Sequence, residues 1–494
     1  MELRRYQKHA IEQLKDSIND KNNRIILQAA TGSGKTVIAS QFVADLVAQG
    51  KKVLFLAHRR ELITQCSSKL YEFNMAHGII MAGTPLSLWQ GVQVASIDTL
   101  RSRAISKKRI ALPKAHYVII DECHRSLSKT YRDIIDIYQD SIVLGLTATP
   151  CRSDGLGLGH IYNDMVQAPP IKELTADGYL VPARYFAPTK PDLKGVKIQM
   201  GDYNSKQLSR RMDTAKLVGD VIENWLRIAP TKKTVVFASS VKHSINLMER
   251  FVEAGIKAAH IDCNTQNVDR DETLKKFNDG EIQVICNCMV LTEGWDCPSA
   301  EVAVLARPTK SLGLYLQMAG RVLRPYKNKT EAIIIDHAGA VYEHGFIDDE
   351  FEWDLSPKHK IQDRKSKAEK KVKPITCEGC FTVFTGSRTC PSCGVVSLTK
   401  GRALFVGDGD LGEIDRHSRK LREHVYTKDQ KIKWYSMLLG YARLKGYKDG
   451  WAYYKYQDKF GVKPCWEKTS ETPNHECLSW ITHINIKYAR RKTA

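Results

Sequence analysis

The sequence predicts an α/β protein. Two tandem units built on parallel sheets are followed by a four-cysteine module and a small, basic, mainly helical C-terminal domain. Three observations predict this. Short apolar runs alternate with helix-length segments in two successive stretches of the chain, the pattern of strands joined by crossover helices. One of the first runs leads straight into a Gly-rich turn, Ala29-Ala-Thr-Gly-Ser-Gly-Lys35-Thr36. Beyond both stretches, Cys377, Cys380, Cys390 and Cys393 stand at the spacing of a metal knuckle pair, ahead of a tail rich in Lys, Arg and aromatic residues.

In the first unit, residues 1–165, the strand candidates are Ile25–Gln28, Val53–Ala57, Val92–Ser96, Tyr117–Ile120 and Ile142–Leu146. Residues 166–205 hold Pro169, Pro170, Pro182, Pro188 and Pro191 and read as a connection or insertion. The second unit, residues 206–357, offers Thr234–Ala238, Ala258–Ile261, Gln283–Asn287, Val302–Leu305 and Ala332–Ile335 as strands, with helix-like Ser244–Glu253 and Arg270–Asn278 between them. Residues 358–376 carry eight Lys/Arg, two acids and few apolar residues, and read as a flexible basic linker. The cysteine module spans 377–400 and the basic aromatic domain 401–494.

At 494 residues and 43% hydrophobic content the chain can bury several cores. No run approaches the ~18 consecutive apolar residues of a membrane span. The segment Met1-Glu-Leu-Arg-Arg-Tyr-Gln7 lacks a signal-peptide apolar core, so a cytoplasmic protein is expected, with its 13 Cys as thiols or metal ligands. The formal net charge of +20 is uneven: residues 1–357 carry +5 and residues 358–494 carry +15. A polyanion is the natural partner of such a tail, and a solvated basic surface is the alternative.

The Gly-rich turn lies between a strand candidate and the helix-like Val37–Leu46. A turn of this kind presents backbone N–H groups and a helix N-terminus to a triphosphate. Lys35 would reach the β/γ-phosphates and Thr36 would ligate Mg²⁺. Asp121-Glu-Cys-His124 follows the apolar run Tyr117–Ile120 and puts two carboxylates at a strand end. One can hold a metal while the other orients water. Together the two motifs read as an NTP-hydrolysing engine.

The motifs form a series that resembles the superfamily 2 helicases over residues 1–325. Arg4-Arg-Tyr-Gln7 resembles the Q motif that reads adenine. Ala29–Thr36 resembles motif I, Leu56-Ala-His-Arg-Arg-Glu-Leu62 motif Ia, and Ala95-Ser-Ile-Asp-Thr-Leu100 motif Ib. Asp121–His124 is a DECH form of motif II, and Thr147-Ala-Thr149 is motif III. Val235–Ser240, Leu291–Pro298 and Gln317–Arg324 resemble motifs IV, V and VI. Within the superfamily, the Glu-Gly-Trp-Asp form of motif V, Asp336-His-Ala-Gly339, the four-Cys cluster and Lys445–Trp451 look like the bacterial RadD (YejH-like) group and related phage helicases.

The resemblance implies two RecA-like lobes and an ATP-dependent DNA helicase or translocase serving DNA repair, recombination or replication. An RNA helicase with the same motor, or an ATP-gated clamp that binds without unwinding, are the alternatives. It implies ATP and Mg²⁺ as cofactors, with Arg4, Gln7, Thr31, Gly32, Ser33, Gly34, Lys35, Thr36, Gly294 and Asp296 around the nucleotide. Lys35, Asp121, Glu122, Gln317, Arg321 and Arg324 would do the chemistry, with Asp121 and Thr36 on the metal and Glu122 as base. Arg321 and Arg324 are three apart, so on a helix they would share a face. Strand contacts carry over to His58, Arg59, Thr99, Ser239 and Thr292, although a polar loop residue is as readily just solvated. The partner is nucleic acid, DNA favoured, single-stranded or branched, and the chain is expected to act as a monomer away from membranes.

Two C-x2-C pairs supply four thiolates and leave a tetrahedral Zn²⁺ no open position, so the expected zinc is structural. In the tail, Trp434, Trp451, Trp466, Trp480 and eight tyrosines from Tyr426 to Tyr488 could stack unpaired bases. Trp434, Leu438 and Tyr441 equally form an i, i+4, i+7 stripe, which would make them a helical core.

Overall fold

The computed structural model describes residues 2–358 except 153, 188–190, 192 and 200, then 374–396 except 378, 386 and 388, then 428–481 except 461, 465–468, 475, 476 and 479. Most of the expected basic linker, together with Pro188, Tyr426, Trp466 and Tyr488, therefore lies outside the described residues. The chain divides into two compact units, residues 1–402 and 403–494.

The first unit holds two parallel sheets. Strands β1 (Arg24–Gln28), β2 (Val53–Ala57), β3 (Gly78–Ile80), β4 (Val92–Ser96), β5 (Tyr117–Asp121), β6 (Ile142–Thr147) and β7 (Asp164–Gln167) lie in the order β3-β4-β2-β5-β6-β1-β7. In the second sheet, β8 (Ala183–Phe186), β11 (Thr234–Ala238), β12 (Ala258–Ile261), β13 (Val284–Asn287), β14 (Val302–Ala306) and β15 (Ala332–Asp336) run β12-β13-β11-β14-β15-β8. A two-residue ribbon, β9 (Ile198–Gln199) with β10 (Asp202–Tyr203), precedes the helix Ser205–Met212. The central strands are buried on both faces, which is why they read as continuous apolar runs rather than as alternation.

The ten expected strands all form, with boundaries shifted by at most one residue. Three other strands of these two sheets carried no such signal. β3 has only three residues, β7 is a partly exposed edge strand, and β8 follows Pro182 inside the segment expected to be a connection. That segment is corrected by the structure: it completes one sheet with β7 and begins the other with β8. Both strands draw their pairing from a neighbour already in place, β7 from β1 and β8 from β15.

The cysteine module lies in the same unit as the two sheets. It contains β16 (Ile375–Thr376) and β17 (Val383–Phe384), an antiparallel pair. Thr382 bridges to Phe186 on β8, and the Ala187 N–H donates to the Phe381 carbonyl at 3.2 Å. The Arg227 guanidinium sits 4.1 Å above the Phe381 ring. The module thus covers the open edge of the second sheet, where unpaired backbone groups would otherwise face water. All four Sγ atoms lie within 4.8 Å of one another, with Cys377–Cys393 at 3.5 Å and Cys380–Cys390 at 3.6 Å. Zn–S bonds of about 2.3 Å in a tetrahedron require S···S edges of about 3.8 Å, so the cluster is compatible with Zn²⁺.

In the second unit, the helices Lys428–Leu444 and Asp449–Phe460 pack around Trp434, Leu438, Leu439, Ala442, Ala452 and Tyr456, joined by Cys477 and Ile481. Trp434 and Leu438 are core, as the stripe allowed, while Tyr441 is half-buried and stacks on Trp451 at 5.5 Å. Among the described residues, no helix is long and apolar enough to cross a membrane.

Two buried imidazoles make stability depend on pH. His243 bonds Ser239 through Nδ1 at 2.9 Å, and burial, against the pull of Asp213, lowers its pKa to about 4. Burial lowers His337 to about 3. Below the unfolded value near 6.5 the unfolded chain takes up protons that the folded chain refuses, and each unit of separation is worth about 1.4 kcal/mol. The urea midpoint should therefore fall as pH drops from 7 to 5, and less so in His243→Gln. An unchanged midpoint would remove this account. Metal analysis should return about one zinc per chain, and Cys380→Ser should lose it. Because the module covers β8, that variant should also increase amide exchange along Ala183–Phe186, while exchange in the first sheet stays at the wild-type rate.

Candidate nucleotide site

The Gly-rich turn leaves β1 at Gln28, with the Ala29 N–H bonded to the Thr147 carbonyl on neighbouring β6 at 3.0 Å. Gly32 and Gly34 hold φ of 87° and 83°, values that favour glycine, and Gly34 caps the helix Lys35–Ala48. A Cβ on Gly34 would stand 2.8 Å from the Gln7 amide, so a side chain there would displace Gln7 from the loop. Ser33 donates its hydroxyl to the Ala30 carbonyl at 2.7 Å, and its own carbonyl accepts from the Tyr6 hydroxyl and from Gln7 Nε2.

Gln7 is held in turn by the Arg4 N–H, which donates to its Oε1 at 3.0 Å. The Arg4 guanidinium lies 4.7 Å over the Tyr179 ring, and Tyr179 tilts against Tyr6 at 5.2 Å. Tyr179 carried no motif signal; only its tertiary position brings it to the Q-motif pair.

Lys35 is buried. Its Nζ donates to the Ala29 carbonyl at 3.1 Å, and burial lowers its pKa against the pull of Glu122 and Asp121. Those two carboxylates end β5. Burial and the neighbouring Glu122 raise Asp121 to about 7, with Lys35 opposing. Glu122 sits at φ 50°, and its Oε2 lies 3.3 Å from His124 Nδ1. Burial alone would raise it, but His124 and the charge on Lys35 outweigh that and hold it below the usual carboxylate range. The two acids therefore differ in character: a reluctant anion at Asp121 and a firm one at Glu122.

From the second sheet, Arg321 is buried and donates to the Thr292 carbonyl at 2.6 and 3.0 Å and to the Trp295 carbonyl at 2.7 Å. Burial, then the neighbouring Arg324, lowers it to about 10. Arg324 pairs with Asp296, and its Cγ would stand 3.3 Å from a Cβ on Gly32. The helix Leu312–Gly320 ends before either arginine, so the expectation of one shared helical face is corrected. Thr31 of the loop lies against Gly320, the last residue of that helix, 2.6 Å from where a Cβ would be, so the two segments meet only because Gly320 has no side chain. Both arginines nevertheless line one cavity of about 520 Å³ with Thr31, Gly32, Gly34, Lys35, Thr36, Asp121, Glu122, Gly294 and Asp296. Ten of the expected residues from both sheets therefore meet Lys35 in a single space, while Gln317 opens onto a different cavity.

Sequence reasoning gave no role to Glu293 of motif V, a buried group that joins the two sheets, as Arg270 does through Glu61 at 2.7 Å. The Glu293 Oε2 takes His58 Nε2 at 2.8 Å and lies 3.4 Å from Arg59 Nε. Arg125 Nη2 donates to both of its oxygens at 3.0 and 3.1 Å. These cations, with His124, hold the buried Glu293 carboxyl far below the usual range despite its burial. Arg59 also donates to the Val290 and Met289 carbonyls at 2.8 and 3.1 Å. His58 and Arg59, expected on a strand path, are thus engaged in this contact. Ser239 and Thr292 are buried and bonded locally, to His243 and to the Met289 carbonyl. Thr99 lines a separate groove of about 460 Å³ with Arg60, Ser96 and Thr84.

The family profile described as "Type III restriction enzyme, res subunit" matches residues 1–152, and that described as "Helicase conserved C-terminal domain" matches residues 216–326. The chain belongs to the superfamily 2 helicases. The parallel sheets are accordingly its two RecA-like lobes. This helicase is 31% identical to a 51.5 kDa protein of a Lactococcus phage, over 83% of this chain and 87% of that one. It is 33% identical to the putative ATP-dependent helicase IRC3 of Saccharomyces cerevisiae, over 68% of this chain but only 52% of the yeast protein. It is 26% identical to the DNA 3'-5' translocase XPB2 of Sulfurisphaera tokodaii, over 68% of this chain and 81% of that one.

Lys35→Ala should reduce ATP hydrolysis to background, and Glu122→Gln should keep nucleotide binding while losing most turnover; near-normal rates in both would refute the site. The arginines should separate. Arg324→Ala should lower kcat by about 10²-fold or more with little change in KM, because a finger acts in the transition state. Arg321→Ala strands two buried carbonyls, so it should lose about 1–3 kcal/mol of stability as well as activity. Equal melting temperatures for the two variants would contradict this division.

Proposed function

We propose that this chain is an ATP-dependent DNA helicase or translocase. One observation carries the reading: the phosphate-loop lysine and both motif II carboxylates of one lobe share a cavity with Arg321 and Arg324 of the other. A site completed only by both lobes makes hydrolysis sensitive to their separation.

Each residue has its own task. Gln7, held by Arg4 and seated on the loop carbonyl of Ser33, would meet the adenine. The backbone N–H groups of residues 31–36 and Lys35 would hold the phosphates. Thr36 and Asp121 would hold Mg²⁺, which supplies charge neutralisation at the phosphates. Asp121 suits that task because a cation relieves the burial that raises it. Glu122, kept anionic by His124 and Lys35, would take the proton of the attacking water. Arg324 would reach the γ-phosphate on leaving Asp296, while Arg321 braces the loop that carries Glu293 to Asp296. Loss of the γ-phosphate then removes a charge that spans the lobes, and they part.

DNA is favoured by the likeness to a DNA translocase and by the RadD-like form of motif V. ATPase rates measured side by side with single-stranded DNA, duplex DNA, forked DNA and RNA test the reading. Stimulation by DNA well above that by RNA is expected. Equal stimulation by RNA would end the DNA preference, and no stimulation by any nucleic acid would end the reading.

The basic C-terminal part should add affinity. Removing residues 358–494 takes away +15 of the +20 charge. It should weaken binding and flatten the slope of log K against log salt, which follows the number of phosphates neutralised. Coincident slopes for the full and shortened chains would make that charge mere surface. The covered β8 edge is left bare by this deletion, so basal ATPase is expected to fall in part.

A further inference from the structure

The aromatic side chains of the C-terminal unit divide into two sets. Trp434, Tyr435 and Tyr456 are buried between the helices Lys428–Leu444 and Asp449–Phe460 and form its core. A second set gathers where the two helices join. The Tyr441, Tyr447 and Trp451 rings have centroids 5.3 to 6.5 Å apart. Tyr454 follows Trp451 by three residues, on the same face of its helix.

The turn that carries this set is fixed by its backbone. Gly446 has φ 70°, the Tyr447 N–H donates to the Ala442 carbonyl at 2.7 Å, and the Gly446 N–H donates to the Arg443 carbonyl at 3.2 Å. This is a Schellman cap, and it accounts for Tyr447 folding back onto Tyr441. It does not account for what stays in water. Tyr447 is 47% exposed, Tyr454 67% and Leu444 72%. Large apolar side chains left singly in solvent are ordinary, whereas several on one short segment mark an interaction surface.

Charge says what covers it. Residues 441–455 hold Arg443, Lys445, Lys448 and Lys455 against one acid, Asp449. Arg443 lies 3.9 Å from Asp449, and Lys455 3.4 Å from Asp458. Lys445 and Lys448 are exposed on either side of Tyr447 in the chain, and neither has a side-chain partner among the described residues. An apolar peptide would make no use of two free ammonium groups, and a polyanion held by charge alone would make no use of the rings. An unpaired nucleic-acid strand uses both, since its bases have stacking faces and its backbone carries phosphates.

We infer that this corner is a stacking platform for the unpaired bases of a nucleic-acid strand. Tyr447 and Tyr454 take base faces, Tyr441 and Trp451 brace Tyr447, and Lys445 and Lys448 take phosphates. The platform rests on the nucleic-acid reading above and adds to it a site wholly within the C-terminal unit. It uses no residue of the nucleotide cavity, so its grip does not depend on bound ATP.

The test uses the full chain without nucleotide. Binding of three fluorescein-labelled 20-mers is followed by anisotropy at several salt concentrations: a single DNA strand, the corresponding RNA, and a DNA strand of abasic residues. Wild-type protein should bind the base-bearing strands more tightly than the abasic one. Tyr447→Ala and Tyr454→Ala should each weaken the base-bearing strands by about 5- to 20-fold, with the abasic strand and the salt slope unchanged. Tyr447→Trp should bind as the wild type does. Lys445→Ala and Lys448→Ala should weaken all three strands and lower the slope by about 0.7 for each phosphate no longer neutralised. Basal ATPase should not move in any of them. A loss in the Tyr variants on DNA or on RNA alone supports the platform and names the strand it serves. Tyr variants with wild-type affinity for both base-bearing strands would overturn the platform while leaving the nucleic-acid reading intact, and equal losses on the abasic strand would overturn the stacking. Wild-type protein that binds no strand would overturn both. If Tyr447→Ala unfolds the C-terminal unit, Tyr454→Ala decides, because its ring lies outside the core.

Discussion

The contact between the two lobes centres on one buried carboxylate, which gathers more ion pairs across them than any other described residue. Glu293 belongs to the second lobe, yet its ion-pair partners, His58, Arg59, His124 and Arg125, all belong to the first. A carboxylate taken out of water is costly unless it is paired and hydrogen-bonded, and here it is both. Its partners come from the loops after β2 and β5, and the loop after β5 also carries Asp121 and Glu122. The backbone on either side of Glu293 is gripped by Arg321. The lobe contact, the motif II carboxylates and the buried arginine therefore form one connected polar network, and a change in any member is felt by the others.

That network explains why the two motif II acids behave differently although they are neighbours. Asp121 faces burial and a second negative charge, which Lys35 and the Glu122 N–H only partly offset. Glu122 turns through a left-handed backbone conformation toward His124, whose other ring nitrogen lies 3.8 Å from Glu293. The imidazole thus stands between the proposed base and the lobe contact. A cysteine fills position 123 between the acids and the histidine because that side chain turns back into the core, where Gly145 leaves room for it.

The second lobe closes its sheet differently from the first. Its last strand, β8, comes from the segment between the lobes, and the cysteine ribbon then covers that strand's free edge. A metal held at this place would stabilise more than its own short loop, since the module keeps a sheet edge from open pairing.

Much of this molecule was legible in the sequence. The central strands were visible because strands buried on both faces must be apolar throughout, and the phosphate loop because its backbone turns demand glycine. The knuckle spacing was visible because tetrahedral sulfur geometry allows few alternatives. What the sequence left undecided were the contacts between segments far apart in the chain. Edge strands β7 and β8 owe their pairing to a neighbour and need no apolar run of their own. Glu293 lies within motif V and Arg125 directly after motif II, but only the folded lobes set these two, and Tyr179, beside their partners. Arg321 and Arg324 would share a face on a helix, but the helix ends at Gly320 and the two go to separate partners, Arg321 to backbone carbonyls and Arg324 to Asp296. Local physics wrote the elements and the phosphate-binding turn into the sequence. Long-range electrostatics and packing, which depend on distances that a linear chain does not state, decided how the two lobes meet.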